Sequence, residues 1–247
     1  MRRLLILGGT AEARALAEAA VNELGDRLEV VTSWAGRTDR APDVAGDTRV
    51  GGFGGAAGLT DYLRTEAIDF VIDATHPFAE TISEHAHDAC VTASVARLQL
   101  FRLAWALPPS GRWLEVDDMA AAARTIGDLG SRIFLTTGKQ TVNAFSDVEN
   151  VWFLVRLIDP PAEPLPLANC EVATGRPPYD LEAERALMER HRIDALVSKS
   201  SGGALPEKII AAFELGLPVL LVAPPPPPPG MRVSHVDEAM AWVRTQI

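Results

Sequence analysis

Short apolar runs alternate along the chain with longer stretches whose apolar residues recur at helical spacing. Arg3–Leu7, Leu28–Ser33, Phe70–Ala74 and Ala96–Phe101 read as strands, with Thr48–Val50 as a shorter one. Between and after them, Ala11–Leu24, Gly58–Glu66, Ala79–Ala93 and Asp117–Leu129 read as helices. A second series follows, with strands at Arg132–Leu135, Val151–Leu157, Ala195–Ser198 and Pro218–Val222 and helices at Leu181–Arg190, Pro206–Glu214 and Asp237–Arg244. Strand–helix alternation of this kind predicts parallel sheets joined by right-handed crossovers. Gly127 and Gly130 interrupt the pattern, which places a boundary between an N-terminal domain, 1–128, and a C-terminal domain, 129–247. The halves echo each other. Ile68-Asp69-Phe70-Val71 and Ile193-Asp194-Ala195-Leu196-Val197 each lead into a helix and then a further apolar run.

Composition narrows the function classes. A chain of 247 residues that is 47% apolar and 23% charged has enough material for a large buried core. No apolar run approaches the roughly 20 residues that span a bilayer. The N-terminal run stops at Gly8, too short for a secretory h-region, so a cytoplasmic location is expected. A net charge of −10 argues against nucleic acid as a partner. Cys90 and Cys170 are far apart and outside any CxxC pair, so neither a disulfide framework nor a metal site is expected, and Cys90 falls in a helical pattern as a core residue. The run Pro224–Pro229 is excluded from helix and central strand, because proline lacks the N–H donor.

The candidate chemistry starts at the N-terminus. Leu7-Gly8-Gly9-Thr10-Ala11-Glu12-Ala13-Arg14 is the end of a strand, a tight glycine turn and the start of a helix. Such a turn lets backbone approach a phosphate at the positive end of the helix dipole. The full GxGxxG fingerprint is absent. Gly8, Gly9, Thr10, Ala11, Glu12 and Arg14 are the expected cofactor residues here, with Thr10 suited to cap the helix, bind a phosphate, or both. The second strand ends at Ser33, and Arg37 follows in Trp34-Ala35-Gly36-Arg37. A hydroxyl and a guanidinium suit a ribose 2′-phosphate, which favours NADPH over NADH, although Asp39 weighs the other way. Gly51-Gly52-Phe53-Gly54-Gly55 suits backbone lying against a flat ligand, so Gly52, Phe53 and Gly54 join the cofactor set. Asp73-Ala74-Thr75-His76-Pro77-Phe78-Ala79 follows a strand at the edge where open α/β sheets bind ligands, which adds Thr75 and His76.

Taken in order, GGTAEAR, SWAGR, GGFGG and DATHPFA, followed by Leu135-Thr136-Thr137-Gly138-Lys139 and Val197-Ser198-Lys199-Ser200-Ser201-Gly202-Gly203, resemble the precorrin-6A reductases of cobalamin biosynthesis over nearly the whole chain. The resemblance implies an α/β fold of two Rossmann-like domains with parallel sheets facing a central cleft. It implies NADPH as cofactor and reduction of the precorrin-6A macrocycle to precorrin-6B, with hydride to C19 and a proton to C18. Three motifs depart from the family pattern: Ser200 stands for the usual Asn, Arg176-Pro177-Pro178-Tyr179 for RGPF, and Ala223 for the Arg of a final Arg-Pro pair.

A macrocycle carrying many carboxylates needs cations in an otherwise acidic chain. Lys139, Lys199 and Arg176 are expected to bind it, with Ser200, Ser201, Gly202 and Gly203 forming an anion nest; Arg156 and Lys208 are further cations of the second half. His76 and Lys199 are the candidate proton donors, the imidazole because it titrates nearest neutral pH. Competing readings are a cobalt-precorrin-6A reductase using NADH and a non-enzymatic dinucleotide-sensing module. A short-chain dehydrogenase is disfavoured, because neither Tyr62 nor Tyr179 has Lys four residues on.

Overall fold

The computed structural model describes residues 1–35 and 44–247. Two compact units make up the chain: Met1–Leu103 with Pro226–Ile247, and Ala104–Pro225.

In the first unit the strands are β1 (Arg2–Leu7), β2 (Leu28–Trp34), β3 (Asp47–Val50), β4 (Phe70–Asp73) and β5 (Ala96–Leu100), with helices α1 (Ala11–Leu24), α2 (Gly55–Thr65) and α3 (Glu80–Ala93) between them. The second unit holds β6 (Trp113–Val116), α4 (Met119–Thr125), β7 (Arg132–Leu135), β8 (Trp152–Leu157), β9 (Cys170–Thr174), α5 (Leu181–Arg190), β10 (Ala195–Lys199), α6 (Glu207–Glu214) and β11 (Val219–Val222). The chain then returns to the first unit as β12 (Met231–Val233) and α7 (Val236–Gln246).

Both sheets are parallel throughout. Their orders are β12-β5-β4-β1-β2-β3 and β6-β11-β10-β7-β8-β9. Each follows the Rossmann order for five strands and then borrows its sixth. β6 lies before the second unit's own first strand in the chain, and β12 comes after its last, so the closing strand–helix piece of each unit is exchanged.

Central strands are buried on both faces, which is why they read as unbroken apolar runs. In β1, Leu4 and Ile6 face a core with α1 and α7, while Leu5 and Leu7 face α2 and α3. In the second unit, Phe134, Leu196 and Leu221 pack with Met188 of α5 and Ile209 of α6.

The Ile-Asp echo has a structural meaning. Asp69 accepts from Arg3 N at 2.7 Å, and Asp194 accepts from Ser131 N and Arg132 N at 2.8 and 2.9 Å. In each sheet the aspartate just before the fourth strand holds the amino end of the first.

Several expectations change. The 128/129 division falls inside the second unit: β6 pairs with β11, so residues from 104 onward belong there, and Gly127 and Gly130 sit in a 3₁₀ turn and the approach to β7. The helix expected over Asp117–Leu129 is α4, capped by Asp118, followed by that 3₁₀ turn. Strands β6, β9 and β12 were not legible in the sequence because all three are sheet edges with few buried positions. Residues 224–228 form neither helix nor strand, as the proline run requires. Cys90 lies in the core, where burial pushes its thiol up to about 12. Among the described residues no helix is long and apolar enough to cross a membrane, and no group of three or more metal-ligating side chains occurs.

Gly130 tests the amino-edge clamp. Its φ is +149°, and an added Cβ would lie 2.3 Å from Asp194 Cβ. Gly130→Ala is expected to lower the unfolding free energy by about 2–4 kcal/mol in a urea titration. A loss under about 0.5 kcal/mol would contradict the close approach.

Candidate cofactor and substrate sites

Register brings the motif loops of the first unit to one level. Leu7 is opposite both Ser33 and Asp73, and Ser33 is opposite Arg49. Glycine turn, Trp34, glycine–phenylalanine loop and Thr75–Phe78 therefore all leave the same carboxyl edge, on neighbouring strands about 4.8 Å apart.

The glycine turn suits a phosphate. Gly9 is exposed with φ +131°, and a Cβ there would meet nothing within 4 Å. The Thr10 hydroxyl caps α1 by accepting from Ala13 N at 3.1 Å and donates to Ala74 O at 2.7 Å, so it ties β1 to β4. Ala11 and Arg14 are exposed in the first turn of α1. Glu12 accepts from Arg102 Nε and Nη2 at 2.9 and 2.7 Å. Burial favours a neutral Glu12, but the Arg102 hydrogen bonds and the helix backbone hold its carboxyl below the usual range. The pair neutralises a carboxylate that would otherwise repel an anion at this helix end.

The glycine–phenylalanine loop is built around Arg49. Its Nη2 donates to Gly52 O at 2.7 Å and its Nη1 to Gly51 O and, at 3.3 Å, to Ser33 Oγ. The guanidinium lies 3.8 Å from the Phe53 ring centroid, and Phe53 packs edge-on against Tyr62 at 5.1 Å. Phe53 thus gives its ring to the core and to Arg49 rather than to an open face. Gly52 and Gly54 are exposed, and a Cβ on either meets nothing within 4 Å. Ser33 is 5% exposed, and Arg37 lies outside the described residues.

The Thr75–Phe78 loop rests on a buried ion pair. Asp73 is 1% exposed and sits 3.5 Å from Arg97. Its Oδ1 accepts from Thr75 N and Thr75 Oγ1 at 3.2 and 2.7 Å, while Arg97 Nη2 donates to Pro229 O at 2.7 Å. His76 Nδ1 accepts from Phe78 N at 3.2 Å, which leaves the proton of a neutral imidazole on Nε2.

The second unit gathers its cations at the corresponding edge. Leu135 is opposite Val155 and Val197, and Lys199 ends β10 opposite Val222. Lys139 is exposed at the start of a 3₁₀ turn over Lys139–Phe145. After Lys199, Ser200 N donates to Val222 O, Ser201 N donates to Lys199 O, and Gly202 and Gly203 adopt φ of +65° and +81°. Arg176 follows β9 and pairs with Asp159 at 2.8 Å on the surface. Arg156 pairs with Glu184 at 2.7 Å, the carboxylate being 1% exposed, and its guanidinium lies 4.2 Å from the Tyr179 ring centroid. Lys208 donates to Thr136 Oγ1 at 2.8 Å. Burial lowers its amine from 10.5 to about 8; Glu184 opposes that fall, while Arg156 and Lys199 add to it.

Arg49, Arg102 and the Asp73–Arg97 pair are absent from the sequence expectations. Their sequence signal is slight: single arginines in or beside strands, with partners up to 132 residues away.

Two Rossmann-like units with glycine loops on one carboxyl edge and cations on the other define a class of two-domain dinucleotide-binding α/β proteins. Within that class, the family described as Precorrin-6x reductase CbiJ/CobK matches residues 3–244, and the chain belongs to it. It is 46% identical to "Precorrin-6A reductase" of Rhodococcus erythropolis, covering 99% of this chain and 98% of that one, and 41% identical to the Rhodobacter capsulatus protein of the same name, at 98% and 96%. "Cobalt-precorrin-6A reductase" of Priestia megaterium is 28% identical, covering 96% of each. The solved structure "CobK precorrin-6A reductase" superposes with a TM-score of 0.90 at 41% identity, covering 100% of this chain and 97% of that one.

Lys208 makes a pH prediction. With its folded pKa near 8 and 10.5 when unfolded, the folded state binds fewer protons between those values, so stability rises with pH there. Urea titrations at pH 7.5, 9 and 10 are expected to show the wild type gaining stability relative to Lys208→Met. A constant difference across that window would show an amine of ordinary pKa.

Proposed function

We propose that this chain reduces precorrin-6A to precorrin-6B in cobalamin biosynthesis, with NADPH as hydride donor. The observation that carries the proposal is the gathering of Gly8-Gly9, Ser33, Gly51–Gly55 and Thr75-His76 on one carboxyl edge, where exposed glycine backbone has room for a dinucleotide. Bound there, NADPH supplies the hydride for C19. The protein contributes placement and charge, which is what such chemistry asks of it.

Backbone N–H groups of the glycine turn and the start of α1 bind the diphosphate, with Glu12 silenced by Arg102. Arg37, close after the end of β2, supports NADPH over NADH because a guanidinium suits the 2′-phosphate, and Ser33 stands at the end of the same strand. Thr75 is held by Asp73, which ties the root of the His76 loop to the end of β4. On the second unit, Lys139, Lys199 and the Ser200–Gly203 nest bind substrate carboxylates, with Arg176 as a further contact when it releases Asp159. The proton for C18 comes from His76 or Lys199. The metal-free substrate is favoured by the higher identity to relatives named precorrin-6A reductase than to those named for the cobalt form.

The test is oxidation of NADPH by the purified protein with metal-free precorrin-6A, repeated with the cobalt form and with NADH. Turnover with the metal-free substrate is expected. Tight dinucleotide binding without turnover on either substrate would favour the sensing-module reading instead. Lys139→Ala and Lys199→Ala are each expected to raise KM for the tetrapyrrole about tenfold or more while leaving NADPH affinity unchanged. Equal losses for both ligands would contradict a substrate role. Full turnover by His76→Ala would remove the imidazole from the mechanism.

A further inference from the structure

We infer that Arg49 selects for NADPH over NADH, in addition to Arg37, by binding the phosphate on the 2′ position of the adenosine ribose. The inference rests on the dinucleotide reading of the first unit and deepens it.

In a parallel sheet of this order, the adenosine ribose lies beyond the end of the second strand, and the residue there decides between a 2′-hydroxyl and a 2′-phosphate. Ser33 holds that place, but at 5% exposure it offers a ligand little surface. Its hydroxyl accepts from Arg49 Nη1 at 3.3 Å, and the two residues are in register on β2 and β3. The group at this point of the edge is therefore the half-exposed guanidinium.

That guanidinium is held in place before any ligand arrives. Gly51 O and Gly52 O accept from it, and the Phe53 ring supports one face at 3.8 Å. All these partners are neutral. Among the described residues Arg49 makes no ion pair with a carboxylate, whereas Arg3, Arg97 and Arg102 of the same unit each do. A fixed cation with no carboxylate partner among the described residues, at the edge of a chain of net charge −10, is suited to a phosphate dianion. Ser33 acts through Arg49 as a positioning residue, and the exposed glycines on either side of Phe53 leave room for the ligand.

Arg49 also braces the loop, so the test must separate bracing from phosphate recognition. Arg49→Gln and Arg49→Lys are compared with the wild type by equilibrium titration with NADPH, NADH, 2′,5′-ADP and 5′-AMP. Arg49→Gln is expected to weaken NADPH and 2′,5′-ADP by about 30-fold or more, and NADH and 5′-AMP by less than about threefold. Arg49→Lys keeps the charge and falls between. Similar losses for all four ligands would show a brace only and overturn the proposal, as would NADPH binding unchanged in Arg49→Gln. Should Arg49→Gln fail to fold, Arg49→Lys decides by the same ratio of NADPH to NADH affinity. Binding of neither dinucleotide by the wild type would overturn the cofactor reading itself, a result distinct from a variant that loses both ligands.

Discussion

The register of the parallel strands is the constraint on which the rest of this structure depends, and one carboxylate in each sheet pins it. Asp69 accepts from Arg3 N, and Asp194 from Ser131 N and Arg132 N, so each first strand is fixed against its fourth at the amino edge. The main-chain ladder carries that alignment to the far edge. There Leu7 meets Ser33 and Asp73 at one level, and Leu135 meets Val155 and Val197. A slip of one residue in β1 would interchange the two sets of buried side chains, Leu4 and Ile6 with Leu5 and Leu7, and would offset the glycine turn from its neighbours.

Charge is then distributed in a pattern that serves the carboxyl edges. Among the described residues two pairs are largely enclosed, Asp73–Arg97 in the first unit and Arg156–Glu184 in the second. Buried pairs of this kind contribute little net stability, because desolvation offsets attraction. Their value here is positional. Asp73 fixes Thr75 at the root of the His76 loop, and Arg97 carries the same network to the carbonyl of Pro229, so the proline run is tied to the first sheet. Arg156 stands between Glu184 and the Tyr179 ring, and the Glu184 charge in turn favours the protonated form of Lys208. Arg49 differs from these arginines by spending its hydrogen bonds on neutral oxygens.

Much of the fold was legible because central parallel strands are buried on both faces and must be apolar throughout. β1, β4, β10 and β11 stand out for that reason, and so do the helices whose one face covers them. Edge strands carry no such signal. β6, β9 and β12 have no fully buried side chain and are defined by the ladder they join. The domain boundary was misplaced for the same reason: the exchange of β6 and β12 between units is invisible when neither strand is seen.

The sequence by itself determined the alternating α/β architecture, the glycine loops, the cations of the second half and the family resemblance, because local hydrophobic period, glycine turns and contiguous motifs are written in adjacent residues. Only the tertiary structure decided which of those groups stand together. It buried Ser33 under Arg49, gave Phe53 to the core, set Arg102 on Glu12 and placed Lys208 against Thr136. Each of these pairings joins residues from different segments of the chain. Sheet order and register set such distances, and no local pattern in a single strand encodes them.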